Sequence, residues 1–116
     1  MKKIYHLSTC DTNRRILKEL NLSEEFIKQD IKINLLTEKE LDELYSFTKS
    51  YEALINKRAR MFSQRGLKNK NLQETDYKNL LLEHYTFLKR PVLINKAEIF
   101  IGNSKNVVAS AKESLK

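Results

Sequence analysis

The apolar run Ile4-Tyr5-His6-Leu7 breaks into the polar turn Ser8-Thr9-Cys10-Asp11-Thr12, and from Arg14 the apolar positions Ile16, Leu17 and Leu20 recur at helical spacing. The chain therefore opens as strand, turn and helix. Asp11 or Thr12 can accept a hydrogen bond from a free helix amide and cap that helix, which puts Cys10 immediately before its N-terminus. After Asn21 and the polar Ser23-Glu24-Glu25, the stretch Phe26 to Ile33 alternates, with Ile27, Ile31 and Ile33 on one side and Lys28, Asp30 and Lys32 on the other. A second strand reached through a helix is expected to lie parallel to the first, making a β-α-β unit.

Thr37 with Glu40 three residues later is a capping box, and Leu41, Leu44, Tyr45 and Thr48 follow at helical spacing, predicting a helix from about Glu38 to Lys49. Ser50 can cap a short helix through Tyr51, Leu54 and Ile55, and another carries Met61 and Phe62 until Gly66 stops it. Gly66 to Gln73 is polar and basic and reads as a surface loop. Thr75 or Asp76 then opens a helix with Tyr77, Leu80, Leu81, His84 and Tyr85, ending before Pro91. Val92-Leu93-Ile94, a turn at Asn95-Lys96 and Ala97 to Ile101 predict a hairpin, and Ser104 caps a last helix with Val107, Val108, Ala111 and Leu115. The order is β-α-β, a helical middle, then β-β-α: an α/β class with a mixed sheet.

Composition narrows what this order can do. With 116 residues, 41% of them hydrophobic, the chain can close one core, and we read it as a single domain. Two Gly, one Pro and no repeat argue against solenoid and disordered classes. No apolar run approaches the roughly 20 residues that span a bilayer, and the start Met1-Lys2-Lys3 leads into no signal-peptide pattern, so no membrane association and a cytoplasmic setting are expected. The net charge of +7 raises the question of nucleic acid, but its densest basic stretch, Lys57 to Lys70, has no accompanying RNA-type aromatic motif or zinc-finger spacing. A solvated basic face is the simpler reading. One Cys and two scattered His give no zinc spacing, so no metal is expected.

Two constellations could carry chemistry. Cys10 lies after a strand and at a helix N-terminus, where free amides and the positive end of the dipole favour a thiolate, and the same amides can hold an oxyanion beside it. Cysteine is also a small hydrophobe that is often buried, and position alone leaves both readings open. No second cysteine stands three residues on, where Asn13 is found, so a reductase built on this lone thiol needs an external thiol to resolve it. The second constellation is Arg90-Pro91 before a strand. A cis bond there would turn the Arg90 backbone toward a neighbouring loop, and a guanidinium matches a tetrahedral oxyanion; a surface arginine beside a structural proline is the alternative.

Thr9-Cys10-Asp11-Thr12 before a helix, Leu36-Thr37-Glu38-Lys39-Glu40-Leu41, and Leu88-Lys89-Arg90-Pro91-Val92-Leu93-Ile94 followed by Ile101-Gly102 resemble the arsenate reductase family of the glutaredoxin-linked type, closest to its Cys-Asp-Thr reductase-like branch. Spx-type regulators share the outline. The resemblance implies a thioredoxin-like fold with a helical insert at about 35–88, Cys10 as nucleophile, and Arg90 beside the cis-proline Pro91. Asn56-Lys57-Arg58-Ala59 is similar to the branch's insert motif, which assigns Arg58 a catalytic part, with Arg60 as its neighbouring alternative. Thr12, Asn13 and Pro91 are expected to contact substrate. No bound cofactor is implied; a small anionic substrate and glutathione or a glutaredoxin-like protein as co-substrate are. The third anion-binding arginine of arsenate reductases would fall at Gly102 or Asn103, and Thr9 stands where they carry His, which counts against arsenate itself. The alternative function is a non-catalytic Spx-like module docking on RNA polymerase.

Overall fold

A computed structural model describes residues 1–116. The regular elements are β1 (Lys2–His6), α1 (Asp11–Leu20), β2 (Ile27–Asp30), α2 (Glu38–Thr48), α3 (Arg60–Gln64), α4 (Glu74–Glu83), β3 (Val92–Asn95), β4 (Glu98–Ile101) and α5 (Lys105–Ser114), with short 3-10 turns between α2 and β3. They form two compact units, Met1–Asn34 with Arg90–Lys116, and Leu35–Lys89. No helix is long and apolar enough to cross a membrane.

The first unit is a four-stranded mixed sheet in the order β2-β1-β3-β4. β1 runs parallel to β2, with His6 opposite Asp30, and antiparallel to β3, with Tyr5 opposite Val92. β3 and β4 form the expected hairpin. Ile4, Ile16, Leu20, Phe26, Leu93, Val108 and Ala111 pack into one buried cluster joining sheet, α1 and α5. Burying each large aliphatic side chain there contributes about 1.5–3 kcal/mol. Ser104 caps α5 by accepting the Val107 amide at 3.2 Å. At the other end, buried Asn95 donates to the Ser114 carbonyl at 3.0 Å and fastens α5 to β3.

Two local expectations fail in this unit. The second strand stops at Asp30 instead of running to Ile33, and Ile27 and Ile33 are 60% and 76% exposed while Ile31 alone is buried. Asp30 causes the stop: its carboxylate accepts the Lys32 amide at 3.1 Å, and its carbonyl accepts the amides of Ile33 and Asn34 at 3.1 and 2.9 Å, closing a turn that ends the alternation. Neither Asp11 nor Thr12 caps α1. Cys10 itself occupies the cap position, no side chain caps the helix, and Asp11 lies inside the first turn, ion-paired with Arg14.

In the second unit Thr37 and Glu40 form both halves of the capping box, at 3.1 and 3.0 Å. Ser50 accepts the Ala53 amide at 3.1 Å, but the segment it opens is a 3-10 turn, Glu52–Leu54. Gly66 stops α3 with φ +63°, a left-handed conformation that glycine adopts at little cost. The following stretch is not wholly a surface loop, because Leu67 is buried within a 3-10 turn, Leu67–Asn69. α4 begins before the expected Thr75 or Asp76, since the Asp76 carboxylate reaches back to the Gln73 amide at 2.7 Å. It ends at Glu83, ahead of His84 and Tyr85: the His84 backbone is extended and its Nδ1 accepts the Thr86 amide at 3.1 Å, starting a new turn. Within the basic stretch Lys57 pairs with Glu52 and Arg65 with Glu83, leaving Arg58 and Arg60 exposed.

The Glu74 carboxylate accepts the Tyr51 and Glu52 amides at 2.7 and 3.3 Å, tying α4 to a turn more than twenty residues earlier in the chain. Such an acceptor for otherwise unpaired helix-start amides is worth about 1 kcal/mol. Glu74→Ala is expected to lower stability by about that amount in urea unfolding, whereas Glu24→Ala, on an exposed turn, should leave the midpoint unchanged.

Candidate active site

β1 delivers the chain to Leu7, and the Cys10 amide donates to the Leu7 carbonyl at 3.1 Å, closing a tight turn over Ser8 and Thr9. The Cys10 carbonyl accepts the Arg14 amide at 3.0 Å, the first helical bond of α1. Cys10 is thus the junction between strand and helix, with extended backbone and a partly exposed side chain. An α-helix leaves its first amides without intrahelical partners, and at α1 no side chain takes them. They and the helix dipole present a positive end beside the Cys10 sulfur.

Asn13, one turn along α1, is fully buried. Its Oδ1 accepts the Leu7 amide at 2.9 Å, and its Nδ2 donates to Cys10 Sγ at 3.6 Å. The residue in the place of a second cysteine therefore ties the strand end to the Cys10 side chain. Thr12, beside it, is partly exposed.

Further bonds hold the turn from outside. Arg14 Nη1 donates to the Ser8 carbonyl at 2.8 Å. The Ser8 hydroxyl donates to Asp30 Oδ2, and the Ser8 amide approaches Asp30 Oδ1 at 3.4 Å. The Ser8 hydroxyl is the main influence holding the Asp30 carboxyl below its usual range. His6, opposite Asp30, is pushed down by burial against the opposing pull of Asp30. Both shifts have one sign for stability. A folded-state value below the unfolded one means that protons bind the unfolded chain first, so the contribution is present above the ordinary value and lost as pH falls through the folded one. Urea midpoints are expected to fall as pH drops below about 6.5, through His6, and again below about 3.9, through Asp30. His6→Gln should remove the first decline and Asp30→Asn should lessen the second, to which the lowered carboxyls of Glu25, Glu52 and Glu83 also contribute.

The Arg90-Pro91 peptide is cis. The β1–β3 ladder ends with Tyr5 opposite Val92, so Arg90 and Pro91 enter β3 at the end of the sheet where β1 leads on to the Cys10 turn. Pro91 is buried, its carbonyl accepts the Gly102 amide at 2.9 Å, and Arg90 is half-buried. The first unit thereby brings Cys10, Thr12, Asn13, Arg90 and Pro91 to one end of its sheet. Arg58 belongs to the second unit, where its side chain is exposed and its amide donates to Asn56 Oδ1 at 3.1 Å. No three His, Cys, Asp or Glu side chains gather anywhere in the chain as a metal site would require.

The sequence points to Asn13 as a substrate contact and not to its bond with the sulfur, and it singles out none of Ser8, Arg14 and Asp30. The spacing of Asn13, three residues after a cap, was the available signal. For Asp30 no local signal existed, since its approach to Ser8 depends on the parallel register of β1 and β2.

A search of curated protein sequences gives no significant match. Solved structures do match over nearly the whole chain. The YFFB protein is 21% identical with a TM-score of 0.75, covering 96% of this chain and 98% of its own. An arsenate reductase from Vibrio cholerae is 20% identical with a TM-score of 0.74, at 95% and 96% coverage. An arsenate reductase-related protein from Brucella melitensis is 21% identical with a TM-score of 0.70, at 94% and 92%. At these identities the likeness concerns the fold, and it agrees with the thioredoxin-like class that the family resemblance implies. The model of the ArsC family matches residues 5–111, a span holding the Cys10 turn, the helical segment and the Arg90-Pro91 strand entry; the chain belongs to the ArsC family.

Proposed function

We propose that the protein is a thiol-dependent reductase with Cys10 as its nucleophile. The observation that carries this reading is the Cys10 sulfur itself, partly exposed at the start of α1 with the Asn13 amide donating to it at 3.6 Å. A lone thiol at a polar, amide-rich turn suits attack on an electrophile better than inert packing.

The Cys10 thiolate attacks the central atom of an oxidised oxyanion, forming a bond through sulfur while one substrate oxygen takes up protons and leaves as water. A first external thiolate then attacks the Cys10 sulfur, which expels the reduced product and leaves a mixed disulfide. A second external thiolate attacks the outer sulfur of that disulfide, releasing the Cys10 thiolate and one oxidised disulfide. Two thiols thus supply the two electrons the substrate gains. Glutathione or a glutaredoxin-like protein supplies these thiols, since the chain has no second cysteine. Arg90 offers a planar donor fork to the substrate's oxyanion or to a glutathione carboxylate, with Thr12 and Pro91 beside it. The family resemblance assigns Arg58 a part as well. The absence of guanidinium at Gly102 and Asn103 favours an anion other than arsenate.

The test is a turnover assay with arsenate and with low-molecular-weight disulfides, run with glutathione alone and with glutaredoxin added. Cys10-dependent turnover supports the reading. No turnover, together with RNA polymerase subunits co-purifying with the tagged chain, would replace it with the docking function.

A further inference from the structure

We propose that Asp30 is a positioning residue for Cys10, its carboxylate holding the Ser8-Thr9-Cys10 turn in place through Ser8. This rests on the reading of Cys10 as the reacting group. Asp30 is the last residue of β2 and lies opposite His6, the last residue of β1, so its carboxylate stands where the chain leaves the sheet for the nucleophile. It takes both the hydroxyl and the amide of Ser8, while the Ser8 carbonyl accepts Arg14 Nη1 at 2.8 Å. All three polar groups of a solvent-exposed serine are therefore engaged, two residues before Cys10. A free surface turn would leave them to water.

The inner side of the same turn is held by Asn13, which bonds Leu7 and the sulfur. The hydrogen bonds of Asn13 reach Leu7 and the sulfur, on either side of Ser8 and Thr9. Asp30 and Arg14 supply the missing outer restraint, from β2 and from α1. The charge of Asp30 suits this task. The groups facing it are the Ser8 hydroxyl and amide, the Lys32 amide and the His6 ring; the first of these pushes its titration further down, and a carboxylate is a stronger acceptor than a neutral group. Burial pushes the His6 titration down, against the pull of Asp30. Releasing Ser8 lets the turn swing and carries the sulfur off the start of α1.

The experiment is alkylation of Cys10 by iodoacetamide, a neutral reagent whose approach no surface charge steers, on the full chain with circular dichroism as the check on folding. Asp30→Ala and Ser8→Ala are each expected to slow alkylation by about threefold to tenfold. Ser8→Thr, which keeps the hydroxyl, should restore the wild-type rate. The double variant should be no slower than the slower single, because both act through one contact. Wild-type rates in folded Asp30→Ala and Ser8→Ala would overturn the proposal, and so would a double variant whose slowing is the product of the two. Should Asp30→Ala fail to fold, the Ser8→Ala and Ser8→Thr pair decides alone. The two readings fail separately: a rate that depends on Asp30 in a protein without turnover leaves positioning standing and removes the reductase, whereas turnover with rates indifferent to Asp30 does the reverse.

Discussion

Cys10→Ser is expected to abolish reductase turnover, by about a thousandfold or more, while leaving the folded chain intact. Serine is nearly isosteric, and the site is a polar turn in which Asn13 Nδ2 can donate to a hydroxyl as it does to the sulfur. What serine loses is nucleophilicity: a hydroxyl stays protonated at pH values where a thiol ionises, and no neighbouring base stands by to activate it. His6 is the nearest candidate in sequence, but burial holds it down and its place opposite Asp30 points to packing at the strand end. The measurement is steady-state turnover with an unchanged thermal midpoint. Turnover at the wild-type rate in Cys10→Ser would move the chemistry elsewhere.

Arg90→Lys is expected to weaken anion binding by about tenfold or more with little change in stability, the loss falling on KM more than on kcat. Lysine keeps the charge and gives up the planar fork, so the loss reports geometry and not electrostatics. The buried Pro91 and the bond from the Gly102 amide fix the backbone at this strand entry, and the half-buried guanidinium is shielded from the solvent screening that weakens exposed charges. Equal affinity for a carboxylate or sulfate probe in wild type and Arg90→Lys would remove the fork from the account.

These expectations draw unevenly on what the chain displays in its order of residues. The Thr37 and Glu40 box, the Ser104 cap and the hairpin were legible because each is a contact within a few residues. The limits of β2 were not. Alternation through Ile33 suggests a longer strand, but Asp30 turns its carboxylate on the next amides and ends it, and the exposure of Ile27 and Ile33 follows. Leu67 looked like part of a polar loop because one apolar residue among lysines carries no periodicity. At the site, the strand-Cys-helix order was plain, whereas the pairing of Ser8 with Asp30 crosses 22 residues and exists only once the parallel register is set. Local signals locate Cys10; the bonds around it come from tertiary structure.

The central claim, that Cys10 is a redox-active nucleophile resolved by an external thiol, is tested most directly by intact mass spectrometry after brief exposure to oxidised glutathione. The account predicts one glutathione bound per chain, located on Cys10, removed by reduced glutathione or glutaredoxin and absent from Cys10→Ser. A wild-type chain that stays unmodified under conditions where a free cysteine peptide forms the mixed disulfide would contradict it.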